Sequence, residues 1–275
     1  MSLLRVENLS KKFGGLNAID DLSFDIRPGA VYSIIGPNGA GKTTLLNLLT
    51  GVYRSSGGRI VFGEHDLTGR APFEYAAHGI ARTFQNLQVF FNMSALENVM
   101  VGRYLHERCG LGSTLLRSSR LARAERACRD EAAELMNYVG LHDYQSAAAD
   151  AMPYGALKRL EIARALATRP KLMLLDEPAA GLNPTEALEL DDLIGRLTGR
   201  GVTVVLVEHN MRLVMGVSDH ILVLDYGRKL AEGPAAMVRN DPKVIEAYLG
   251  SDVVHDGSFG NEIASAVTLV VEMHR

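Results

Sequence analysis

Cysteine and tryptophan are the scarcest residue types in this chain of 275 residues, which has two cysteines and no tryptophan. Cys109 and Cys128 stand far apart, with neither a CxxC motif nor paired histidines beside them. Such spacing predicts neither a disulfide framework nor a zinc site. A reducing compartment therefore suits the chain best.

Long apolar runs and a leader sequence are also missing. The longest apolar candidate, residues 263–271, contains Ser265 and Thr268 and is far shorter than the roughly 20 residues that a membrane helix needs. The N-terminus mixes apolar and charged side chains, whereas a signal peptide has a basic segment followed by an apolar one. We therefore expect a protein that does not cross a bilayer by itself and is not exported.

Neither sign of charge is in excess. The chain has 29 Lys and Arg against 32 Asp and Glu, a net charge of −3 and a pI near 6.2. Nucleic acid as the main partner would call for a basic excess, so we expect no nucleic acid partner. Hydrophobic residues at 47% and charged residues at 22% are typical of a soluble globular protein and exclude disordered, collagen-like and coiled-coil chains.

The apolar pattern predicts an α/β fold. Short β-branched runs separated by glycine-containing turns open the chain, and similar runs return near its C-terminal end with a helical pattern between them. This alternation is typical of a mostly parallel sheet. The predicted strands are residues 3–6, 24–26, 31–35, 59–62, 172–175, 202–207 and 221–224. Predicted helices flank them at residues 43–49, 186–197 and 241–249.

The strand pattern stops between about residues 84 and 166. Residues 119–139 in this stretch are dense in Ala, Arg, Glu and Leu, which is typical of a long surface helix. We therefore predict a helical subdomain here, inserted into a sheet that is assembled from both ends of the chain. The tail, residues 251–275, stays unassigned.

One motif predicts a phosphate-binding loop. Residues 36–43 match GxxxxGK[ST] directly after a buried strand and directly before a helix, a setting that disfavours the alternative of a mere glycine-rich turn. Backbone N–H groups of such a loop converge on a phosphate, and the helix N-terminus adds to their attraction. Lys42 is placed to reach the β- and γ-phosphates, and Thr43 to offer its hydroxyl to Mg²⁺. The residues expected to contact the nucleotide are Gly36, Pro37, Asn38, Gly39, Ala40, Gly41, Lys42, Thr43 and Thr44.

Two acidic residues end a predicted buried strand. Asp176 and Glu177 stand at its C-terminal end, which is where α/β sheets place their ligands. We expect Asp176 to bind Mg²⁺ directly or through water, and Glu177 to accept a proton from the attacking water or to orient it. The alternative, an acidic turn before Pro178, is disfavoured by the phosphate loop.

Two further polar residues are candidates for the same site. His209 follows the predicted strand 202–207 and Glu208, and an imidazole is able to bind a γ-phosphate and a carboxylate together. Gln85 lies where strand-like sequence gives way to helical sequence, and its neutral amide suits contact with Mg²⁺ and water. A structural role for His209 and a loop hydrogen bond for Gln85 are the alternatives.

With these pieces in order, residues 3–249 resemble the ATP-binding subunit of an ABC transporter. The most specific segment is MPYGALKRLEIARAL, residues 152–166, which stands where that family has its LSGGQ signature and the following helix. The resemblance implies an ATPase that uses ATP and Mg²⁺, with Gln85 as the Q-loop glutamine, Glu177 as the catalytic glutamate and His209 as the switch histidine. Lys42 joins this catalytic set, and Gln85 joins the metal ligands Thr43 and Asp176.

The resemblance also implies the fold and the place of the adenine base. The family has a P-loop NTPase fold of ABC type, with a mostly parallel central sheet, an N-terminal antiparallel β portion and an inserted helical subdomain. One ATP-binding domain would then span residues 1–250, with the subdomain at about 84–166. Phe13 takes the place of the aromatic residue that stacks on adenine, with a core position as its alternative.

The signature segment departs from the family consensus. In the family, two ATPase domains close head to tail, and each signature covers the γ-phosphate held by the other domain. Here Pro153 replaces serine, Tyr154 replaces the first glycine and Ala156 replaces glutamine, so only Gly155 keeps its consensus residue. We therefore predict a weakened signature and a heterodimer with a second, homologous ATPase. Asn183, where the family often has aspartate, agrees with such asymmetry.

Three segments narrow the resemblance to branched-chain amino acid importers, and to the larger of their two ATPases: the signature with residues 159–170, residues 79–90 and the insert at about 104–123. The resemblance also implies that the partners are two membrane permease subunits and an extracytoplasmic substrate-binding protein. It implies that the chain is a peripheral protein on the cytoplasmic face of the inner membrane. A groove near the Q-loop would receive helices of the permeases. We expect Val89, Phe90, Phe91 and Met93 either to line this groove or to pack within the helical subdomain.

The cargo depends on resemblance alone, because the ATPase does not touch it. The alternatives are the ATPase of an importer of urea or short amides, that of a lipid exporter, and a soluble ABC ATPase without a transport function. A nucleotide-binding regulator without turnover is a further alternative, which Glu177 and His209 disfavour.

Overall fold

The computed structural model describes residues 2–105 and 119–252. Cys109, most of the insert at 104–123 and the tail beyond residue 252 therefore lie outside the described residues, as does the apolar segment 263–271.

The described residues form both strands and helices. The strands are β1 (Leu4–Phe13), β2 (Leu16–Ile26), β3 (Val31–Ile35), β4 (Gly57–Phe62), β5 (His65–Asp66), β6 (Ile80–Arg82), β7 (Leu172–Asp176), β8 (Thr203–Val207), β9 (His220–Asp225) and β10 (Arg228–Gly233). The helices are α1 (Lys42–Leu49), α2 (Pro72–His78), α3 (Ala95–Val101), α4 (Ser119–Tyr138), α5 (Tyr154–Ala167), α6 (Pro184–Gly199), α7 (Met211–Val217), α8 (Ala235–Arg239) and α9 (Pro242–Asp252).

A six-stranded sheet forms the centre of the fold. Its order is β10-β9-β3-β8-β7-β6, with β10 antiparallel to β9 and every other pair parallel. Strand β3 from the N-terminal part lies between β8 and β9 from the C-terminal part, which confirms the predicted assembly from both ends. Because the neighbouring strands are parallel, the loops that follow β3, β6, β7 and β8 leave from the same edge of the sheet.

Both faces of the central sheet are covered. Along β8, Val204 and Leu206 belong to one buried apolar cluster, while Val205 and Val207 belong to another. Alternate side chains of a strand point to opposite faces, so each cluster fills one side of the sheet. This explains why β3, β7 and β8 are apolar almost throughout.

A second, antiparallel sheet carries the N-terminal part, in the order β2-β1-β4-β5. Strands β1 and β2 form a hairpin that turns at Gly14 and Gly15, and Gly14 has a positive φ of 56°. Strand β1 has 10 residues and β2 has 11, so the strands predicted at 3–6 and 24–26 cover only part of each. Irregular register between β1 and β2, with shifts between Val6 and Leu9, breaks the two-residue periodicity on which the prediction depended.

Helices α3, α4 and α5 pack together through a shared apolar cluster that includes Val99, Met136 and Leu160. Ser94 starts α3 with a capping box that Glu97 completes. The helix predicted at 119–139 is present as α4, and the described part of residues 84–166 contains no strand. The division into a domain and a subdomain remains a prediction. Within the described ranges, no helix is long and apolar enough to span a bilayer.

Candidate active site

The phosphate loop leaves the end of β3 and is pressed against its neighbours. A side-chain Cβ at Gly36, where φ is +154°, would lie 2.1 Å from the carbonyl oxygen of Leu224. A Cβ at Gly41, where φ is +104°, would lie 2.6 Å from the carbonyl oxygen of Ala18. Glycine is therefore the residue that fits at both positions. Strands β9 and β2 thus fix the path of the loop from either side.

Lys42 begins α1 and is almost fully buried. Its Nζ donates hydrogen bonds to the carbonyl oxygens of Gly36 at 2.6 Å and Pro37 at 3.0 Å. Burial lowers the pKa of Lys42, while the charges of Glu177 and Asp176 act in the opposite direction. A phosphate oxygen would take the place of one of these carbonyl acceptors, so the cation is already held inside the loop that would bind the anion.

Glu177 brings three of the sequence-predicted residues together. Its Oε2 accepts a hydrogen bond from Nε2 of Gln85 at 2.7 Å, and its Oε1 lies 3.0 Å from Nε2 of His209. Glu177 also has a positive φ of 47°, and its backbone N–H donates to the carbonyl oxygen of Val207 at 2.8 Å. A non-glycine residue in this conformation is held there by its surroundings. The loops after β6, β7 and β8 therefore meet at one carboxylate.

Asp176 has a partner that the sequence did not reveal. Its Oδ2 accepts a hydrogen bond from Nη2 of Arg82 at 2.8 Å, whereas the described residues offer no hydrogen bond to Oδ1. Thr43, an exposed residue at the start of α1, supplies a hydroxyl. Carboxylate, hydroxyl and amide oxygens are hard ligands of the kind that Mg²⁺ takes. The chemistry of Asp176, Thr43 and Gln85 therefore fits this cation.

Glu208 is a further residue that sequence reasoning missed. It is 4% exposed, and its carboxylate accepts backbone hydrogen bonds from Ala179 at 2.7 Å, His209 at 3.0 Å and Asn210 at 3.3 Å. These bonds join the loop of Glu177 to the loop of His209. The sequence signal that could have found it is an acidic residue between a predicted apolar strand and a candidate histidine.

Glu208→Ala should lower the rate of ATP hydrolysis by about tenfold, because the two loops that carry Glu177 and His209 lose their common anchor. Steady-state assays of phosphate release check this, with circular dichroism to verify folding. Exposed Glu246, in α9, offers a matched control: Glu246→Ala should leave the rate near wild type. An unchanged rate in Glu208→Ala would contradict the anchoring role.

Phe13 ends β1 with 42% of its surface exposed, so the structure does not place it in the core. Its ring meets that of Tyr53 edge to face at 5.3 Å, and Nζ of Lys11 lies 4.7 Å from its centroid. Neither neighbour was predicted. An exposed ring held by two side chains is suited to stack on a planar base.

The signature segment forms the first turn of α5. Pro153 caps this helix without a side-chain hydrogen bond, and Tyr154 is exposed. A Cβ at Gly155 would lie 2.2 Å from Oε1 of Glu186, in the first turn of α6. Asn183 caps α6 through its side chain. The signature and the Asn183 turn are therefore in direct contact, and Lys158 links the same helix to the carbonyl oxygen of Gln85 at 2.9 Å.

A groove of about 560 Å³ lies beside the loop of Gln85. Of the four apolar residues expected there, Val89 and Phe90 line it, whereas Phe91 and Met93 do not. Val89 is also part of the buried cluster of α3, α4 and α5, so both expectations hold for it. Phe84 and Arg82 lie on the same lining.

Comparison with known proteins gives matches over most of the chain. A family model described as ABC transporter matches residues 19–180, and one described as branched-chain amino acid ATP-binding cassette transporter matches residues 228–254. Relatives include the high-affinity branched-chain amino acid transport ATP-binding proteins LivG of Escherichia coli, 43% identical, and BraF of Pseudomonas aeruginosa, 42% identical. Each alignment covers 90% of this chain and 98% of the relative.

Solved structures of ATP-binding cassettes also resemble this chain. A nucleotide-free ATP-binding cassette from an ABC transporter superposes with a TM-score of 0.79 at 35% identity, over 90% of this chain and 99% of that one. The ADP conformation of another such cassette gives a TM-score of 0.78 at 33% identity, over 91% and 99%.

Proposed function

Because this chain belongs to the ATP-binding proteins of the ABC transporter family, we propose that it is the ATP-hydrolysing subunit of an importer for branched-chain amino acids. The observation that carries the catalytic part is the Glu177 carboxylate, held between Gln85 and His209 beside the phosphate loop. The cargo is supported by the names of relatives that align over nine-tenths of the chain, and by the second family model at residues 228–254.

The residues divide the work of hydrolysis as follows. The backbone N–H groups of residues 36–43 and Nζ of Lys42 bind the phosphates, and Phe13 stacks on the adenine base. Thr43, Asp176 and Gln85 would hold Mg²⁺, which when bound partly neutralises the phosphate oxygens. Glu177 accepts a proton from the attacking water. His209 contacts the γ-phosphate and orients Glu177 through their shared hydrogen bond.

The transport function of the family indicates which partners the chain has. Permease subunits take up the closing motion of the ATPase, with Phe90 and the groove beside Gln85 as their docking surface, and an extracytoplasmic binding protein delivers the substrate. The chain accordingly works at the cytoplasmic face of the inner membrane, as a peripheral subunit bound to the two permease subunits. Residues 1–250 act as one ATP-binding domain with a helical subdomain at about 84–166.

The second ATPase of the assembly is a homologous but different chain. Because Pro153 stands in place of serine, the signature lacks a hydroxyl and a backbone N–H. The residues that this chain contributes to its own ATP site, Lys42, Glu177 and His209, all match the family. A partner with an intact signature would therefore build one strong site with this chain, and the signature of this chain would cover a weaker one.

Pro153→Ser should change the ATPase activity of the assembled transporter little, because the restored hydroxyl would serve the weaker site. The measurement is steady-state ATPase activity of the reconstituted complex, with Pro28→Ser, an exposed turn position, as a matched substitution. A large gain from Pro153→Ser alone would show that the two sites are meant to be equal.

Transport assays test the substrate. Proteoliposomes that contain the chain, its permeases and its binding protein should accumulate leucine, isoleucine or valine in an ATP-dependent manner. Uptake of urea without uptake of these amino acids would instead support the alternative importer, and absence of any permease from a native membrane pull-down would support a non-transport ATPase.

A further inference from the structure

Arg82 is a buried cation at the metal-binding edge of the sheet. It ends β6, which pairs in parallel with β7, so its side chain and that of Asp176 meet beyond the two strand ends. Nη2 of Arg82 lies 2.8 Å from Oδ2 of Asp176, and both side chains are 5% exposed. Nothing in the local sequence had predicted this ion pair.

Three further contacts fix the guanidinium group. Nη1 donates to Oδ1 of Asn47 in α1 at 2.6 Å, and it lies 3.5 Å from Oγ1 of Thr50. The ring centroid of Phe84 lies 4.7 Å from the guanidinium carbon. The cation is thus held by α1 on one side and by an aromatic face on another, and its place beside Asp176 does not depend on the ion pair alone.

The pair changes what Asp176 offers to a cation. Burying an unpaired carboxylate charge costs much free energy, so such a group attracts any available cation. The Asp176 carboxylate, with Arg82 at 2.8 Å, already has its charge neutralised. Lys42 adds a second positive charge to the same surroundings: burial lowers its pKa, while the nearby charges of Glu177 and Asp176 raise it. The two carboxylates are thus matched by two cations, Arg82 and Lys42, so protein groups alone give a divalent cation little net negative charge to bind.

We propose that Arg82 is a positioning residue that makes metal binding conditional on nucleotide. By neutralising Asp176, it keeps the protein's own ligands weak for a divalent cation until phosphate oxygens supply the missing negative charge. The inference depends on the proposed function, because it takes Asp176 as a ligand of Mg²⁺.

The test uses Mn²⁺ as the probe, with free Mn²⁺ measured by electron paramagnetic resonance on the full-length chain without nucleotide. Arg82→Gln should bind Mn²⁺ about tenfold more tightly than wild type or better, because removal of the countercharge leaves the carboxylate unpaired. Equal or weaker binding by Arg82→Gln would overturn the proposal.

Matched variants separate this effect from a general change in charge. Arg70→Gln removes an equal charge from an exposed arginine that pairs with Glu74, and it should bind Mn²⁺ like wild type. In Arg82→Gln/Asp176→Asn the gain should disappear; a gain that persists would show that it does not pass through Asp176, contrary to the proposal. If Arg82→Gln does not fold, Asn47→Ala loosens the guanidinium more mildly, and it should give a smaller gain in the same direction. No gain in that variant would also overturn the proposal.

One more arm distinguishes this inference from the proposed function. Wild type with ATP should bind Mn²⁺ in a ternary complex that Asp176→Asn weakens. Failure of that complex would contradict Asp176 as a metal ligand. Formation of the complex together with an unchanged Arg82→Gln would contradict only the role of Arg82.

Discussion

Replacing Glu177 by glutamine should lower the rate of ATP hydrolysis at least about a hundredfold while leaving ATP binding in place. Glutamine matches glutamate in shape and still offers an oxygen to Nε2 of Gln85 or His209, which lie 2.7 and 3.0 Å from the carboxylate. It is unable to accept a proton at neutral pH, so the attacking water stays unactivated. Rates come from phosphate release and affinities from titration with a fluorescent ATP analogue.

The control for this variant is Glu64→Gln, which makes the same chemical change at an exposed turn. It should hydrolyse ATP like wild type. If Glu177→Gln retained a rate near wild type, Glu177 would not be the residue that activates water, and a binding module without turnover would become the better account.

Replacing Lys42 by alanine should instead weaken ATP binding, by about a hundredfold, and reduce hydrolysis to background. The side chain is the cation inside the phosphate loop, with Nζ 2.6 Å from the carbonyl oxygen of Gly36. Its loss removes the charge that faces the phosphates, and it leaves Arg82 as the cation paired with Asp176 while Glu177 loses the positive charge of Lys42. The two variants should therefore differ in kind, because Glu177→Gln lowers turnover and Lys42→Ala lowers affinity.

Lys171→Ala is the matched control, since it removes a lysine from an exposed position outside the site. Thermal unfolding of both variants separates lost binding from lost folding. Wild-type affinity and turnover in a folded Lys42→Ala would contradict the assignment of residues 36–43 as the phosphate loop.

The parts of the site that local sequence specifies were predictable. Residues 36–43 carry their geometry in the spacing of their glycines, and the apolar strand before Asp176 identifies a buried β7 whose end faces the ligand edge. The ends of two predicted strands placed Glu177 and His209 at one site, and the family resemblance added Gln85. The structure brings Gln85 and His209 within hydrogen-bond distance of Glu177.

Contacts between distant segments were not predictable. Arg82 lies 94 positions from Asp176 in sequence, and no neighbouring residue distinguishes it from an exposed arginine. Glu208 acquires its role only because Ala179 from another strand end donates to it. The long hairpin of β1 and β2 escaped for a related reason, since bulges and exposed polar positions conceal its periodicity.

A crystal structure of Glu177→Gln with ATP and Mg²⁺ would test the central claim most directly. The β- and γ-phosphates should lie on the backbone N–H groups of residues 36–43, with Nζ of Lys42 moved from the carbonyl oxygen of Gly36 or Pro37 to a phosphate oxygen. The glutamine at 177 should face the γ-phosphate across a single water molecule. A triphosphate bound elsewhere, or a γ-phosphate remote from residue 177, would contradict the account.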